Sequence, residues 1–152
     1  MIKITKIFFL MLIVSGCGYE PIMLKKSYDF GIGSIDTDGD KKINRIIKKN
    51  LYKKTNIDAN RIYQIYFSSS KKKEAISSNN KGDPMIFKIT VNLDYKLFRN
   101  DEAFLENQIS KEIIYNNIND KFELLKYEEN LIENLSEKFA DDILVLITTS
   151  LK

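Results

Sequence analysis

Few side chains in this sequence are equipped for chemistry, and they sit in three places. Cys17 is the single cysteine and ends the run Leu12-Ile-Val-Ser-Gly-Cys17. Three carboxylates gather in Asp36-Thr-Asp-Gly-Asp40. Lysines recur in Lys71-Lys72-Lys73, at Lys81 and at Lys126. The chain has no His and no Trp, which excludes His-based metal sites and Ser-His or Cys-His nucleophiles. The acidic run has the look of a calcium loop. A calcium hand starting at Asp36 needs Gly at its sixth position and Glu at its twelfth, where this chain has Lys41 and Ile47. The acids are therefore expected to cap a helix through Asp38 or Asp40, their charge favouring the positive helix end. A hydrolase built on a pair of carboxylates stays open as the remaining enzymatic alternative. No metal and no cofactor are expected.

Cys17 carries more weight. Lys3 and Lys6 precede an apolar stretch from Ile7 to Val14, and Ser15-Gly16 lead into the cysteine. Charged start, short apolar run and small residues make a secretory signal. The apolar run is far shorter than the ~20 residues that cross a bilayer. Val14-Ser-Gly-Cys17 resembles the lipobox of bacterial lipoproteins. The chemistry implied is a thioether from the Cys17 thiol to diacylglycerol, cleavage before Cys17, and acylation of the freed amine. Each buried acyl CH₂ contributes about 0.8 kcal/mol, so three chains hold a protein at a membrane almost permanently. We expect a signal peptide at 1–16, a lipidated tether at 17–27 and one domain at 28–152. The protein would be lipid-anchored on the periplasmic side. The chain has 24 Lys+Arg against 21 Asp+Glu. Lys3 and Lys6 leave with the signal, so the remainder is close to neutral and nucleic acid is not an expected partner. With Cys17 acylated no thiol remains for a disulfide, and the core must hold by apolar contact alone.

The elements follow from periodicity. Tyr28, Phe30, Ile32 and Ile35 mark a first strand. A helix over Lys41–Lys54 buries Ile43, Ile46, Ile47, Leu51 and the edge of Tyr52, with Lys41, Lys42, Lys48, Lys49 and Lys53 mostly outside that stripe. A second strand spans Arg61 to about Ser69. A polar stretch through Pro84 is expected as a long connection, with Ala75 and Ile76 able to prolong the strand. Phe87, Ile89, Val91, Leu93, Tyr95 and Leu97 alternate with Lys88, Thr90, Asn92, Asp94 and Lys96, a strand with one dry and one wet face. Arg99–Glu102 turns, Ala103 to Tyr115 returns as an edge strand, and Asp120-Lys-Phe-Glu123 has capping-box spacing. A last helix to about Thr148 carries Leu124, Leu131, Leu135, Phe139, Ile143, Leu146 and Ile147 on one stripe. The order β-α-β-β-β-α gives an α+β two-layer sandwich, a four-stranded mixed sheet with both helices on one face. The face bearing Lys88, Thr90, Asn92 and Lys96 is left uncovered.

Several segments resemble the LptE family, the lipopolysaccharide-assembly lipoproteins of the outer membrane, in its alphaproteobacterial form. Cys17-Gly-Tyr-Glu-Pro21 is similar to the start of the mature family chain, and Asn44-Arg-Ile-Ile-Lys-Lys-Asn-Leu51 to its first helix. Ile89-Thr-Val-Asn-Leu-Asp-Tyr-Lys-Leu97 resembles its central strand. Tyr115-Asn-Asn-Ile-Asn-Asp120 and Glu128 through Ile143 resemble the approach to its last helix and that helix's close.

The resemblance implies a non-catalytic lipoprotein at the outer membrane that plugs the LptD β-barrel, assists its assembly and contacts lipopolysaccharide. Its lipid phosphates would be met by lysines, with Lys71, Lys72, Lys73, Lys81 and Lys126 as candidates. Lys126 falls where the family often carries a basic residue; the family's other basic contact falls near Ser78, with Lys81 the nearest substitute. The uncovered strand face is the candidate partner surface. A lipoprotein adaptor for another envelope complex is the alternative.

Overall fold

The alternating segment is an interior strand of the sheet. The computed structural model describes residues 28–150. Its strands are β1 (Gly31–Gly39), β2 (Ile62–Ser78), β3 (Pro84–Arg99) and β4 (Glu102–Asn116), and its helices are α1 (Lys41–Lys54) and α2 (Lys121–Ser150). The sheet order is β1-β2-β3-β4, with β1 parallel to β2 and the other neighbours antiparallel. The architecture is the expected α+β sandwich in the order β-α-β-β-β-α. The signal, Cys17 and the tether lie outside the described residues.

The dry face of β3 explains why the layers meet. Ile89, Val91, Leu93, Tyr95 and Leu97 are all at most 1% exposed, beside Tyr63, Ile65 and Phe67 of β2 and Ile32 and Ile35 of β1. Against them lie Ile43, Ile47 and Leu51 of α1 and Leu135, Phe139, Ile143, Leu144 and Ile147 of α2. A large apolar side chain fully buried contributes ~1.5–3 kcal/mol, so this slab is what holds the fold.

Two aspartates begin the helices. Asp40 Oδ1 accepts from the Lys42 and Ile43 amides at 2.9 and 3.1 Å. Asp120 Oδ1 accepts from those of Phe122 and Glu123 at 2.8 and 3.1 Å. Asp38 does not cap; it belongs to β1, which continues through the acidic run to Gly39. The chain then turns at once into α1. Gly39 has φ +90°, and a Cβ there would lie 1.9 Å from the Ser69 carbonyl oxygen, so only glycine fits. Asn100 and Asp101, at φ 52° and 64°, form the two-residue β3–β4 turn.

The polar stretch after Ser69 differs from expectation. It is strand, not loop: β2 runs to Ser78, and Ser70 through Ser78 pair along β3 back to Pro84, with a bulge near Ala75. Backbone ladders need no apolar side chain, and the neighbouring β3 supplies partners that the sequence pattern does not show. The connection shrinks to a turn in which Asn79 Oδ1 accepts from the amides of Lys81 and Asp83.

Candidate functional site

The five candidate phosphate lysines do not converge. Consecutive strand residues alternate faces, so Lys71, Lys72 and Lys73 are split. Lys71 and Lys73 lie on the helix side, where Lys71 Nζ is 3.7 Å from Asp40 and Lys73 pairs with Glu128. Lys73 Nζ also sits 4.3 Å from the centre of the Phe87 ring. Lys72 faces the other way and bonds Glu74 at 2.7 Å. Glu128 on α2 is largely enclosed, and it also accepts from the Tyr115 hydroxyl at 2.8 Å. Burial and that bond to a carboxylate both push the Tyr115 pKa well up.

Lys81 and Lys126 are different. Both are exposed, and neither has a carboxylate partner among the described residues. They lie at one end of the sandwich, where the Asn117 amide donates to Met85 O at 2.8 Å and ties the β2–β3 hairpin to the approach of α2. Met85, Phe122 and Leu125 are at least half exposed at that end. It therefore combines free ammonium groups with apolar surface.

The uncovered sheet face has its own chemistry. Lys88, Thr90, Asn92 and Lys96 share it, half-buried by their neighbours, with no helix of the described residues above them. Its lysines are paired and Asp94 is hydrogen-bonded: Lys88 bonds Glu74 at 2.7 Å, Lys96 bonds Glu106 at 3.0 Å, and the neutral Gln108 donates to Asp94 at 2.8 Å. Hydrogen bonds from Lys72 and Lys88 hold the Glu74 carboxyl at about 2. Ser70, Asn92 and Ser110 line up across three strands, while Tyr66 and Phe98 lie towards one end and Ile76 and Ile114 towards the other. Neutralised charge, neutral polar groups and exposed apolar side chains suit a protein interface better than a phosphate.

The acidic run is divided between a strand and a helix cap. Asp36 and Asp38 lie in β1 and Asp40 is committed to the α1 amides. The run Ser68-Ser-Ser-Lys71 has a Ser-x-x-Lys spacing, which on a helix would bring hydroxyl and amine together. On β2 it puts them on opposite faces.

One feature escaped the sequence reading. Between α1 and the outer edge of β1 lies a cleft of about 530 Å³, its helix wall formed by Lys41, Arg45, Lys48, Lys49 and Tyr52 and its strand wall by Thr37 and Asp38. The spacing of these cations on one helix face was legible, but the edge position of β1 was not.

No family model matches this chain, and no curated protein sequence does. Solved structures do resemble it. Rare lipoprotein B from Shewanella oneidensis superposes with a TM-score of 0.59 at 15% identity, over 78% of this chain and 96% of that one. An uncharacterised lipoprotein B from Nitrosomonas europaea gives 0.55 at 15% identity, over 80% and 86%. The fold is one that bacterial lipoproteins use. At such identities the likeness is one of architecture, and residue roles do not transfer with it.

Proposed function

We propose that this protein is a non-catalytic lipoprotein of lipopolysaccharide transport, anchored in the outer membrane through Cys17. It acts as plug and assembly partner of an LptD-like β-barrel. The observation that carries the reading is a lipobox-like run ahead of a sandwich whose architecture bacterial lipoproteins share. The helix-free face around Lys88, Thr90, Asn92 and Lys96 supplies the docking surface: the pairing of Lys88 with Glu74 and of Lys96 with Glu106 offsets part of the desolvation cost that a barrel wall covering it would impose. Lys81 and Lys126, beside exposed Phe122 and Leu125, are the groups left to meet lipid phosphate and acyl chain. The paired Lys71, Lys72 and Lys73 contribute less to that contact. Among the described residues no helix is long and apolar enough to cross a membrane.

Depletion of the protein in its own cells tests the proposal. Surface lipopolysaccharide and the abundance of the folded barrel should both fall, and a tagged full chain should co-purify with a large outer-membrane barrel. Unchanged surface lipopolysaccharide and barrel would refute it, and co-purification with a different envelope complex would make the protein an adaptor. Lys81→Glu/Lys126→Glu should weaken lipopolysaccharide binding in a salt-sensitive way while barrel association persists.

A further inference from the structure

The cations of α1 are sorted by direction. Lys42 and Lys54 turn towards α2 and pair with Glu129 and Asp141. Lys41, Arg45 and Lys49 turn towards the cleft beside β1 and have no carboxylate partner within 4.0 Å among the described residues. Lys48 also lines the cleft, and its ammonium lies 3.0 Å from the carbonyl oxygen of Ile35 on β1. Four cations thus line one cleft, along which Asp38 is the single acidic residue.

The strand wall is equally unusual. β1 is a sheet edge whose only strand neighbour among the described residues is β2. The bond from Lys48 shows that Ile35 O points away from β2. Strand periodicity then turns the peptide groups of Thr37 the same way. An open edge invites pairing, and proteins commonly blunt one with lysine. Lys48 does this here. A neutral strand that added to β1 would displace Lys48 and leave its ammonium without an acceptor. A strand bearing carboxylates would give the ammonium a new partner and meet Lys41, Arg45 and Lys49 as well.

We infer that the cleft between α1 and β1 is a docking site for an extended, acidic segment of a partner protein, added beside β1 as a further strand. Main-chain bonds to the edge would supply affinity, and the lysine-arginine wall would supply selection for acid. The inference stands on the cleft alone and does not need the barrel reading.

The test uses the full chain in detergent and a fluorescent peptide of about ten residues alternating Thr and Glu, long enough to span β1. Its Thr-Lys counterpart is the control. The acidic peptide should bind, the basic one should not, and binding should slow amide exchange at Thr37. Arg45→Glu/Lys49→Glu should weaken binding about tenfold or more, while Lys138→Glu, on α2 outside the cleft, should leave it unchanged. Absence of binding, equal binding by the charge-reversed variant, or unaltered exchange at Thr37 would overturn the proposal. So would binding to phosphatidylglycerol–phosphatidylcholine vesicles without binding to the peptide, which would assign the cleft to a lipid surface.

Discussion

Ser69 on β2 donates its hydroxyl to Asn44 Oδ1 on α1 at 2.6 Å, and both side chains are buried. Asn44 Nδ2 in turn donates to the Asp38 carbonyl at 2.8 Å. One amide thereby ties the first helix to two strands at the point where Gly39 swings the chain from sheet to helix. Removing one end strands the other in a dry site, which costs ~1–3 kcal/mol. Asn44→Ala should lose stability in that range in urea titrations, and Ser69→Ala should lose less, because the Asn44 amide keeps its bond to Asp38.

The hydroxyl of Tyr63 makes the opposite case. The residue is 0% exposed and its hydroxyl has no hydrogen-bond partner among the described residues. The ring is held by Phe30 and Phe104, at centroid distances of 5.6 Å each. Tyr63→Phe should leave stability unchanged or raise it by up to ~1 kcal/mol. A clear drop in melting temperature would mean that the hydroxyl is satisfied after all.

Neighbouring residues on β3 should respond in opposite ways. Leu93→Ala opens a cavity beneath the helices and should cost about 2–5 kcal/mol. Asn92→Ala, on the uncovered face, should change stability by no more than ~0.5 kcal/mol and instead weaken barrel co-purification. Equal destabilisation would show that both faces are internal.

The outer-face carboxylate gives a pH signature. Hydrogen bonds from Lys72 and Lys88 bring Glu74 down from 4.5 to about 2, and the same bond raises Lys88. A lowered folded pKa means that the ionised form is the one the fold favours. Its stabilisation is complete above pH 4.5 and is lost as pH falls towards 2. Carboxyl titration by NMR should find Glu74 with a midpoint near 2, moving up in Lys88→Ala. A midpoint near 4.5 in the unaltered chain would mean that the three side chains do not associate in solution.

How far the sequence could be read depended on what each signal reports. Period-two alternation located β3 and its buried face residue by residue, and the stripe of Ile43, Ile47 and Leu51 located α1, because both report burial directly. The continuation of β2 from Ser70 to Ser78 was invisible, since its reason for being strand lies across the ladder in β3. The same blindness misplaced the lysines. As a loop, Lys71–Lys73 would form one basic tip; as a strand they divide between faces and are neutralised. Asn44 carried no sign of burial, because its partners lie in another element and at the end of β1. The cleft needed strand order, which no local pattern reports.

The order of the strands also has a bearing on time. β2, β3 and β4 follow one another as hairpins, so their pairings are local, whereas β1 must wait for β2 to arrive from across α1. Such a meander forms early at low entropic cost. α1 covers only part of its apolar side, and the rest stays bare until α2 arrives, because that helix brings eight of the buried apolar side chains, from Leu124 to Ile147. A chain emerging from its N-terminus thus has no closed core until α2 has followed. Solidification falls to the thirty residues of α2. Any chaperone that escorts it has one surface to guard, and its work ends when α2 docks.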